Sequence, residues 1–588
     1  MAIILCGFTL YFIPLHSAFF YFDDISSIVN NEAIRKIDIP TIFNAFNTRF
    51  LVGLSFAFNY QWGGLHPFGY RFINLIIHCL NAFLVYVLAK ELKGAPIPAF
   101  FASMLFLCHP LQTEPVNSIT QRFVLMGTFF YLLTLFLYIQ YRCRSQKRYM
   151  IAALGSAMAA MFCKEFTVTL PFMLALYDFY FLRGVAETWW KRCNRILPFF
   201  VIILIVPILL LRTPPETIGV ANIADTDSIH HIDITRAQGK ISRKQYFLTE
   251  LNVVCTYVRL LFLPVNQNLD YDYPLSHAMN GGTFLSGIFL FCLLVLAVIT
   301  YKSYRIVSFG ILWFFIALSV ESSFIPIGHV IAEYRLYLAS VGFVFLVTAL
   351  LYEKKVTGAI SKKLHLSPFL VLIGFSILTY QRNNIWKDGF TLWNDTVQKS
   401  PHKARAFNNR GNAYIDQGKV TRALSDYSKA IELDPNYADA YYDRGIIYNN
   451  QGKVTQALSD FTKAIKIYPY YEKAFIGRGI IYAQQGHLTE GLSNFNMAIK
   501  INPWDAQAIN GRGIIYSKQG NLTQTIADFN KAIEINPKYV EAYYNRAIIY
   551  YQLKEYDKAW TDIQKAQELG KAINPILIND LKKALGKD

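Results

Sequence analysis

The sequence predicts an all-α protein in two parts, a polytopic transmembrane helical bundle followed by an α-solenoid. Two observations lead to this prediction. Of the 588 residues 53% are hydrophobic and only 16% are charged, whereas a soluble globular chain has about 25% charged residues, so a large part of the chain is expected to lie in lipid. After residue 400 the composition changes and a 34-residue period begins, which is typical of stacked repeats.

Apolar runs predict about eleven membrane spans within residues 1–383. Several runs are shorter than the roughly 20 residues that cross hydrocarbon untilted. The first run lacks a preceding basic segment and a clear small-residue cleavage site, so we expect it to remain as a span rather than to be removed as a signal peptide. The runs lie at about residues 2–22, 72–89, 97–108, 123–141, 149–163, 166–182, 196–211, 284–300, 306–320, 336–351 and 366–380.

Basic residues predict the orientation of these spans. Clusters of Lys and Arg fall in alternate loops, which the positive-inside rule places in the cytoplasm. A further apolar segment, residues 247–264, carries Glu250 and Arg259. Counting it as a span would place the later basic loops outside, so we predict an interfacial or re-entrant amphipathic helix. The N-terminus is then cytoplasmic and the C-terminus lies on the other side of the membrane.

Only the regularity of the repeats and the length of the loops indicate which compartment lies on that side. Near-identical repeats and short loops favour a bacterial inner membrane, with the repeats in the periplasm. In a eukaryote the same topology would place them in the lumen of the endoplasmic reticulum.

The second part of the chain consists of five near-identical units. Pro recurs at residues 401, 435, 469, 503 and 537, and Gly, Arg, Tyr and Ala recur at fixed positions between them. This period, with Pro closing each unit and Gly between two amphipathic helices, is the signature of tetratricopeptide repeats. We predict five repeats in residues 401–570, a connecting helix at 384–400, a capping helix at 571–588 and a transmembrane domain at 1–383.

The repeats predict a partner-binding surface. The recurring residues are expected to pack helix against helix, whereas the concave face is expected to hold a protein or peptide acceptor. No dense basic patch or RNA-binding signature occurs, which argues against nucleic acid as a partner. The candidates for peptide contact are the variable residues before each repeat arginine, namely Asn409, Asp443, Gly477, Gly511 and Asn545.

Charged residues in the first part predict a site on the non-cytoplasmic face. Asp23 and Asp24 directly follow the first apolar run, and ionisable residues at the edge of a span mark a functional site by default because they are costly to hold in lipid. The alternative for this pair is a solvated exit from the first helix. The predicted topology places Glu114, Lys164 and Arg335 on the same face.

Seven short motifs occur in order within residues 20–345. In their order, and with repeats following them, they resemble the GT-C class of membrane-embedded glycosyltransferases with C-terminal tetratricopeptide repeats, the transmembrane and tetratricopeptide repeat-containing O-mannosyltransferase group and its bacterial relatives. The motifs are Phe22-Asp23-Asp24, Pro67-x-x-Tyr70-Arg71-x-x-Asn74-x-x-x-His78, His109-Pro110-x-x-Thr113-Glu114, Gln121-Arg122, Lys164-Glu165-x-x-Val168-Thr169-Leu170-Pro171, Leu263-Pro264-x-Asn266-x-x-x-Asp270-Tyr271 and Glu333-x-Arg335-x-Tyr337-Leu338.

This resemblance implies an enzyme that moves a sugar, with mannose a candidate, from a polyprenyl-phosphate donor to a protein acceptor. An acceptor hydroxyl needs a carboxylate base, and the departing lipid phosphate needs cationic partners. The residues expected in these roles are Asp23, Asp24 and Glu114 as catalytic carboxylates, Arg122, Lys164 and Arg335 as ligands of the lipid phosphate, and His109, Glu165 and Glu333 as supporting residues.

Several of these assignments have a structural alternative. Glu114 could interact with a helix dipole, Lys164 and Glu165 could pair with each other, and Arg335 could pair with Glu333 or Glu321. No cofactor is firmly implied, because two adjacent aspartates suit a divalent metal but no third ligand is spaced for it.

One departure from the resemblance favours a second function. Relatives usually continue the Gln-Arg pair with a charged or acidic residue, whereas Phe123-Val124-Leu125 follows Arg122 here. The alternative is a catalytically inactive, membrane-anchored scaffold whose repeats recruit partners for envelope or protein-complex assembly.

Overall fold

The structure is a computed structural model that describes residues 2–17, 19–20, 24–93, 95–182, 188–205, 208, 241–327, 329–352 and 367–586. These residues form helices and no strands, which confirms the predicted all-α class. The chain divides into two compact units, Met1–Lys403 and Ala404–Asp588.

Each predicted apolar run contains a helix in the first unit. A helix that buries its own backbone hydrogen bonds is the form such a run takes in lipid. The helices are Ala2–Leu15, Pro67–Lys93, Pro96–Leu107, Arg122–Arg144, Lys147–Met161, Leu170–Phe181, Trp189–Ile202, Gly281–Thr300, Arg305–Leu318, Leu336–Tyr352 and Ser367–Ile385.

Four helices in the described part of the chain are long and apolar enough to cross a membrane. They are Pro67–Leu92, Arg122–Arg144, Gly281–Thr300 and Glu333–Tyr352. Shorter apolar helices include Ala2–Leu15, Pro96–Leu107 and Arg305–Leu318. The count of eleven spans and their orientation stay predictions.

The helix Gly281–Thr300 exposes the most apolar surface of these four. Only 17% of its most apolar window is buried, and Val298 and Ile299 are 74% and 71% exposed. A continuous apolar surface of this kind is unfavourable in water and marks contact with lipid or another protein.

The segment after the first helix forms structure that the sequence analysis did not predict. The first helix ends at Leu15, well before Phe22. Five short helices follow, and Ile28, Ile34, Ile42 and Phe56 are buried in a small hydrophobic core of their own. The five helices are Ile25–Val29, Glu32–Ile34, Ile39–Phe46, Asn47–Arg49 and Phe50–Gly63.

Phe123, the departure from the resemblance, belongs to this small core. Its ring centroid lies 5.9 Å from that of Phe56 and 6.5 Å from that of Phe46. Aromatic pairs at this separation add about 1 kcal/mol beyond their burial. An apolar residue at position 123 therefore has a packing role.

Of residues 247–264, predicted to form an interfacial or re-entrant helix, residues 247–262 lie in the helix Arg243–Phe262 and the last two follow its end. This helix starts with a capping box between Ser242 and Gln245 and contacts Gly281–Thr300. Glu250 is buried and Arg259 is exposed. The helix is not among the four long apolar helices, and its position at the membrane surface stays a prediction.

The second unit is an array of helix pairs. Gly418, Gly452, Gly486 and Gly520 lie between the two helices of a pair with φ from 70° to 81°, a conformation that glycine adopts without strain. The helices are Ala404–Asp416, Val420–Leu433, Ala438–Asn450, Val454–Ile467, Glu472–Gln484, Leu488–Ile501, Ala506–Lys518, Leu522–Ile535, Val540–Gln552, Tyr556–Glu568 and the final Pro575–Ala584. The connecting helix of the first unit is Gly389–Lys399.

The repeat arginine joins three helices. Arg444 donates to both carboxylate oxygens of Asp460 at 2.8 and 2.9 Å, in the second helix of its own repeat. It also donates to Ser428 Oγ at 3.2 Å, in the preceding repeat. Bidentate pairs of this kind are charge-assisted and directional. The recurring arginine therefore ties neighbouring repeats together by hydrogen bonds as well as by packing.

Two residues predicted to contact a peptide are buried between helices. A Cβ atom on Gly477 would lie 2.8 Å from the ring of Phe461, and one on Gly511 would lie 2.4 Å from the ring of Phe495. The prediction is therefore wrong for these two glycines, which allow close helix packing. Asp443 accepts a hydrogen bond from Asn408 at 2.9 Å across a repeat boundary.

The third repeat lacks the carboxylate of this arrangement, and this predicts a stabilising substitution. Arg478 donates to the amide oxygen of Asn494 at 2.8 Å. We expect Asn494→Asp to supply the carboxylate and stabilise this repeat by about 1 kcal/mol, because hydrogen bonds between charged groups are stronger than neutral ones. Hydrogen exchange of the Leu488–Ile501 amides in the full chain measures the change.

The matched control for this substitution is Asp528→Asn, which removes the corresponding carboxylate from Arg512 in the next repeat. Exchange of the Leu522–Ile535 amides should become faster in that variant. Unchanged or faster exchange in Asn494→Asp would contradict the role given to the repeat arginine.

Candidate active site

The predicted site residues lie mainly in two polar clusters of the first unit, and Asp23 lies outside the described residues. We name the clusters by one member each. The Asp24 cluster consists of Asp24, Arg71, Asn74, Thr120 and Arg122. The Lys164 cluster consists of Arg49, Glu114, Lys164, Glu165, Glu321 and Tyr334.

Asp24 is fully buried. Its carboxylate accepts a hydrogen bond from the backbone N–H of Thr120 at 2.9 Å and interacts electrostatically with Arg122. A solvated exit from the first helix is therefore wrong for this residue. Asp24 holds the turn at Thr120 against the segment that follows the first helix.

Arg122 is fully buried and surrounded by protein acceptors. It donates to Asn74 Oδ1 at 2.8 Å, to Asn59 Oδ1 at 2.6 Å and to the carbonyl of Tyr70 at 2.8 Å. Its guanidinium lies 4.7 Å from the ring centroid of Phe56. A lipid phosphate at Arg122 would have to displace several of these partners.

Arg71 and Asn74 complete the Asp24 cluster. Arg71 donates to the carbonyls of Ser17, Phe19 and Asn117, and Asn74 donates to the carbonyl of Ser118 at 3.0 Å. The helix Pro67–Lys93 therefore holds the segment before Asp24 and the backbone just before Thr120, the residue to which Asp24 is bonded. The motif that carries Arg71 and Asn74 was the signal that could have marked them as site residues.

Lys164 and Glu165 pair with different residues. The Lys164 ammonium lies 3.1 Å from Glu321 and 4.1 Å from the ring centroid of Tyr334. Glu165 accepts hydrogen bonds from Arg49 at 3.2 and 3.3 Å. The alternative of a local pair between the two neighbours is therefore wrong.

Glu114 is buried in the short helix Thr113–Asn117, and its Oε2 atom has no hydrogen-bond partner. Burial and the negative charge of Glu333 raise the pKa of Glu114 to about 8, although the charges of Arg382 and Lys164 oppose this. At neutral pH the carboxyl therefore keeps its proton and can donate a hydrogen bond.

Glu333 anchors a loop. Its carboxylate accepts hydrogen bonds from the side chain of Gln267 at 2.8 Å, the backbone N–H of Asn268 at 2.7 Å and the hydroxyl of Tyr271 at 2.5 Å. These bonds hold the segment that follows the helix Arg243–Phe262.

Arg335 has a partner that the sequence analysis did not consider. It lies 3.9 Å from Glu250 and donates to the carbonyls of Val330 and His329. The structure therefore shows an ion pair with Glu250 in place of the pairs considered with Glu333 or Glu321. The three predicted phosphate ligands, Arg122, Lys164 and Arg335, each have a different set of partners.

His109 has the contacts of a structural histidine. Its Nε2 atom lies 2.9 Å from the carbonyl of Leu261, and its Nδ1 atom accepts from the backbone N–H of Leu111. Burial lowers its pKa to about 4, so the ring is neutral and donates from Nε2.

Within the described residues, no three side chains of His, Cys, Asp and Glu group as metal ligands. Asp23, half of the pair considered for a divalent ion, is not among those residues.

Arg49 is the site residue that the sequence analysis missed. It belongs to the short helix Asn47–Arg49, in a segment with no recognised motif. One signal was present, because Arg49 is the only Asp, Glu, Lys or Arg between Asp38 and Arg71. A lone charge in a long uncharged stretch is costly to bury and therefore has a partner or a function.

Comparison with known families identifies the second unit. Models described as TPR repeat match residues 411–452 and 513–554, and models described as Tetratricopeptide repeat match residues 438–471 and 540–569. The array is built from tetratricopeptide repeats. The solved TPR protein YrrB is 24% identical, covers 30% of this chain and 92% of its own, and superposes with a TM-score of 0.26.

Comparison with curated proteins covers a larger part of the chain. Protein O-mannosyl-transferase F38B6.6 of Caenorhabditis elegans is 26% identical over 70% of this chain and 60% of its own length. Human protein O-mannosyl-transferase TMTC3 is 25% identical over 70% of this chain and 49% of its own length. The chain thus spans about half to three-fifths of these relatives, which carry the name of the family that the motifs resemble.

The buried Glu114 predicts a pH-dependent stability. Its carboxyl keeps its proton in the folded chain up to about pH 8, whereas the unfolded group ionises near pH 4.5. Unfolding releases a proton between these values, so this group lowers stability as the pH rises from about 4.5 to 8. Glu114→Gln removes this dependence. We therefore expect the free energy of unfolding of Glu114→Gln, relative to that of the native chain, to be about 3 kcal/mol higher at pH 8 than at pH 5.

Thermal unfolding of the purified full chain between pH 5 and 9 measures this difference. The exposed Glu32→Gln is the matched control, and its unfolding curve should shift in parallel with that of the native chain. A constant difference between Glu114→Gln and the native chain across this range would contradict a protonated Glu114.

Proposed function

We propose that this chain is an integral membrane glycosyltransferase that moves a sugar from a polyprenyl-phosphate donor to a hydroxyl of a protein acceptor. The observation that carries the proposal is the Lys164 cluster, in which cations and a neutral carboxyl gather beside apolar helices. The similarity to protein O-mannosyl-transferases over 70% of the chain supports the same reaction and favours mannose as the sugar. The inactive scaffold is not favoured, because Phe123 has a packing role in the small core.

The transfer needs a base for the acceptor hydroxyl. The hydroxyl oxygen bonds to the anomeric carbon, the bond from that carbon to the phosphate oxygen breaks, and the hydroxyl proton passes to a carboxylate. Asp24 is buried and bonded to Thr120, so Asp23 is the better candidate for the base. Asp24 then acts as a positioning residue for its neighbour.

The leaving phosphate needs groups that stabilise its developing charge. Lys164 supplies a cation, and Glu114 supplies a carboxyl that is protonated at neutral pH. A protonated carboxyl donates a hydrogen bond to a phosphate oxygen, whereas an ionised one would repel it. The raised pKa of Glu114 therefore suits a site for an anionic leaving group.

The second unit suggests how the acceptor is bound, and the predicted topology suggests the compartment. The tetratricopeptide array would bind the protein acceptor, which the relatives' name describes as the substrate class. In this proposal the array and the active site lie on the non-cytoplasmic side, which is the periplasm if the membrane is a bacterial inner membrane.

A test separates the roles of the two aspartates. Asp23→Asn should lower kcat by 100-fold or more, since general-base catalysis contributes about 10²–10⁴-fold, without changing the melting temperature. Asp24→Asn keeps an oxygen that can accept from Thr120, so we expect a smaller loss of activity. The measurement is transfer of labelled mannose from polyprenyl-phosphate mannose to a Ser/Thr-containing protein in membranes.

The control is Asp38→Asn, which changes an exposed aspartate of the same segment and should leave transfer unchanged. Full activity in both Asp23→Asn and Asp24→Asn would show that neither residue is the base.

A further inference from the structure

The cations of the first unit differ in how accessible they are. The side chain of Arg49 is 41% exposed, whereas that of Lys164 is 9% exposed and that of Arg335 is 1% exposed. Arg122 is fully buried. An anionic headgroup that arrives from outside the bundle therefore meets Arg49 first.

Three kinds of contact hold the neighbours of Arg49 against the segment that carries Lys164. The backbone N–H of Leu51 donates to the carbonyl of Phe162 at 3.2 Å, and the rings of Phe50 and Phe162 pack edge to face at 6.5 Å. Thr48 donates to Glu165 at 3.4 Å. The short helix Asn47–Arg49 is thus held along the segment that carries Lys164 and Glu165.

Each of the two cations has its own carboxylate. Arg49 pairs with Glu165, and Lys164 pairs with Glu321. Tyr334 and Glu321 also act electrostatically on Arg49, so both cations share one local charge environment. Like charges in one such environment repel each other unless anions offset them.

The pair between Arg49 and Glu165 lies at a partly exposed position. The Glu165 side chain is 35% exposed, so water screens this ion pair more than it screens a fully buried one. A phosphate group offers a guanidinium the same bidentate geometry as a carboxylate does. A phosphate that takes the place of Glu165 therefore keeps the guanidinium paired with an anion.

We infer that Arg49 binds the donor phosphate together with Lys164, and that Glu165 holds the Arg49 guanidinium in place and competes with the phosphate for it. This inference rests on the proposed function, because it assigns a ligand to the phosphate of the proposed donor. Arg49 belongs to the short helix Asn47–Arg49. The segment between the first helix and Pro67–Lys93 would therefore contribute a ligand to the donor site.

Binding of polyprenyl phosphate without a sugar tests this inference independently of transfer. The purified full chain in detergent micelles is titrated with polyprenyl phosphate, and the rise in melting temperature gives the Kd. We expect Arg49→Gln to raise the Kd about tenfold, which corresponds to one lost charge-assisted contact of about 1.4 kcal/mol. We expect Glu165→Gln to lower the Kd several-fold, because the competing carboxylate is gone.

The Kd changes expected for Arg49→Gln and Glu165→Gln have opposite signs, and this distinguishes a role in binding from a role in stability alone. An ion pair that only stabilises the fold predicts that both variants weaken binding, and that result would overturn the inference. Arg49→Lys keeps the charge but loses the bidentate geometry, so its Kd should lie between those of the native chain and Arg49→Gln. The matched control is Arg35→Gln, which removes another cation of the same segment, 4.5 Å from the ring centroid of Tyr60, and should leave the Kd unchanged.

Two further ligands identify the source of the phosphate. Inorganic phosphate and phosphatidylglycerol should each stabilise the chain far less than polyprenyl phosphate at equal concentration. Equal stabilisation by inorganic phosphate would overturn the assignment to a lipid-linked donor, and equal stabilisation by phosphatidylglycerol would replace it with general binding of anionic lipid.

The inference and the proposed function fail in different ways. If Arg49→Gln binds polyprenyl phosphate as the native chain does while sugar transfer persists, the role of Arg49 is wrong and the function stands. If binding depends on Arg49 but no sugar is transferred from any polyprenyl-phosphate donor, the function is wrong and the phosphate site stands.

Discussion

The requirement that a buried charge be paired organises the first unit. Arg71 and Arg122 are buried, and an uncompensated buried charge costs several kcal/mol. Their acceptors come from the segment after the first helix, from the helices Phe50–Gly63 and Pro67–Lys93, and from the turn before Arg122. Satisfying two guanidinium groups therefore brings together segments that are far apart in the chain, and Asp24 is placed by the same contacts.

The tetratricopeptide array applies the same requirement periodically. One arginine in each repeat bonds to the second helix of its own repeat, as in the pair between Arg410 and Asp426, and from the second repeat onward it also reaches back to the preceding repeat. A bond that spans adjacent repeats couples their stability, since each unit can bury its apolar face only against a neighbour. The third repeat keeps one bond, from Arg478 to the amide oxygen of Asn494, but not the charge.

The charges of the Lys164 cluster fit the proposed phosphate donor for a physical reason. Arg49 and Lys164 each pair with a carboxylate, and the raised pKa of Glu114 keeps that carboxyl neutral at physiological pH. In the proposed function, a phosphate would enter without meeting an unpaired carboxylate and would find two cations whose partners are partly exposed. This arrangement connects the packing of the short helices to the proposed chemistry, because Arg49 is held in place by Leu51 and Phe50.

The sequence by itself determined the helical class, the positions of the apolar helices and the repeat array. These features depend on local composition and on a 34-residue period. Both can be recognised in the sequence without knowledge of the fold. Its motifs also predict Lys164, Glu165, Glu114 and Asp24 as site residues, and this stays a prediction.

Only the tertiary structure decided which charges pair. The contacts between Arg49 and Glu165, between Arg335 and Glu250 and between Thr120 and Asp24 join residues 116, 85 and 96 positions apart. The small core around Phe123 is assembled from helices that are far apart in the chain, with Ile28, Phe56 and Phe123 among its members. Such contacts arise because buried charges and apolar side chains must find partners in three dimensions, and no local pattern in a single chain records which partners they find.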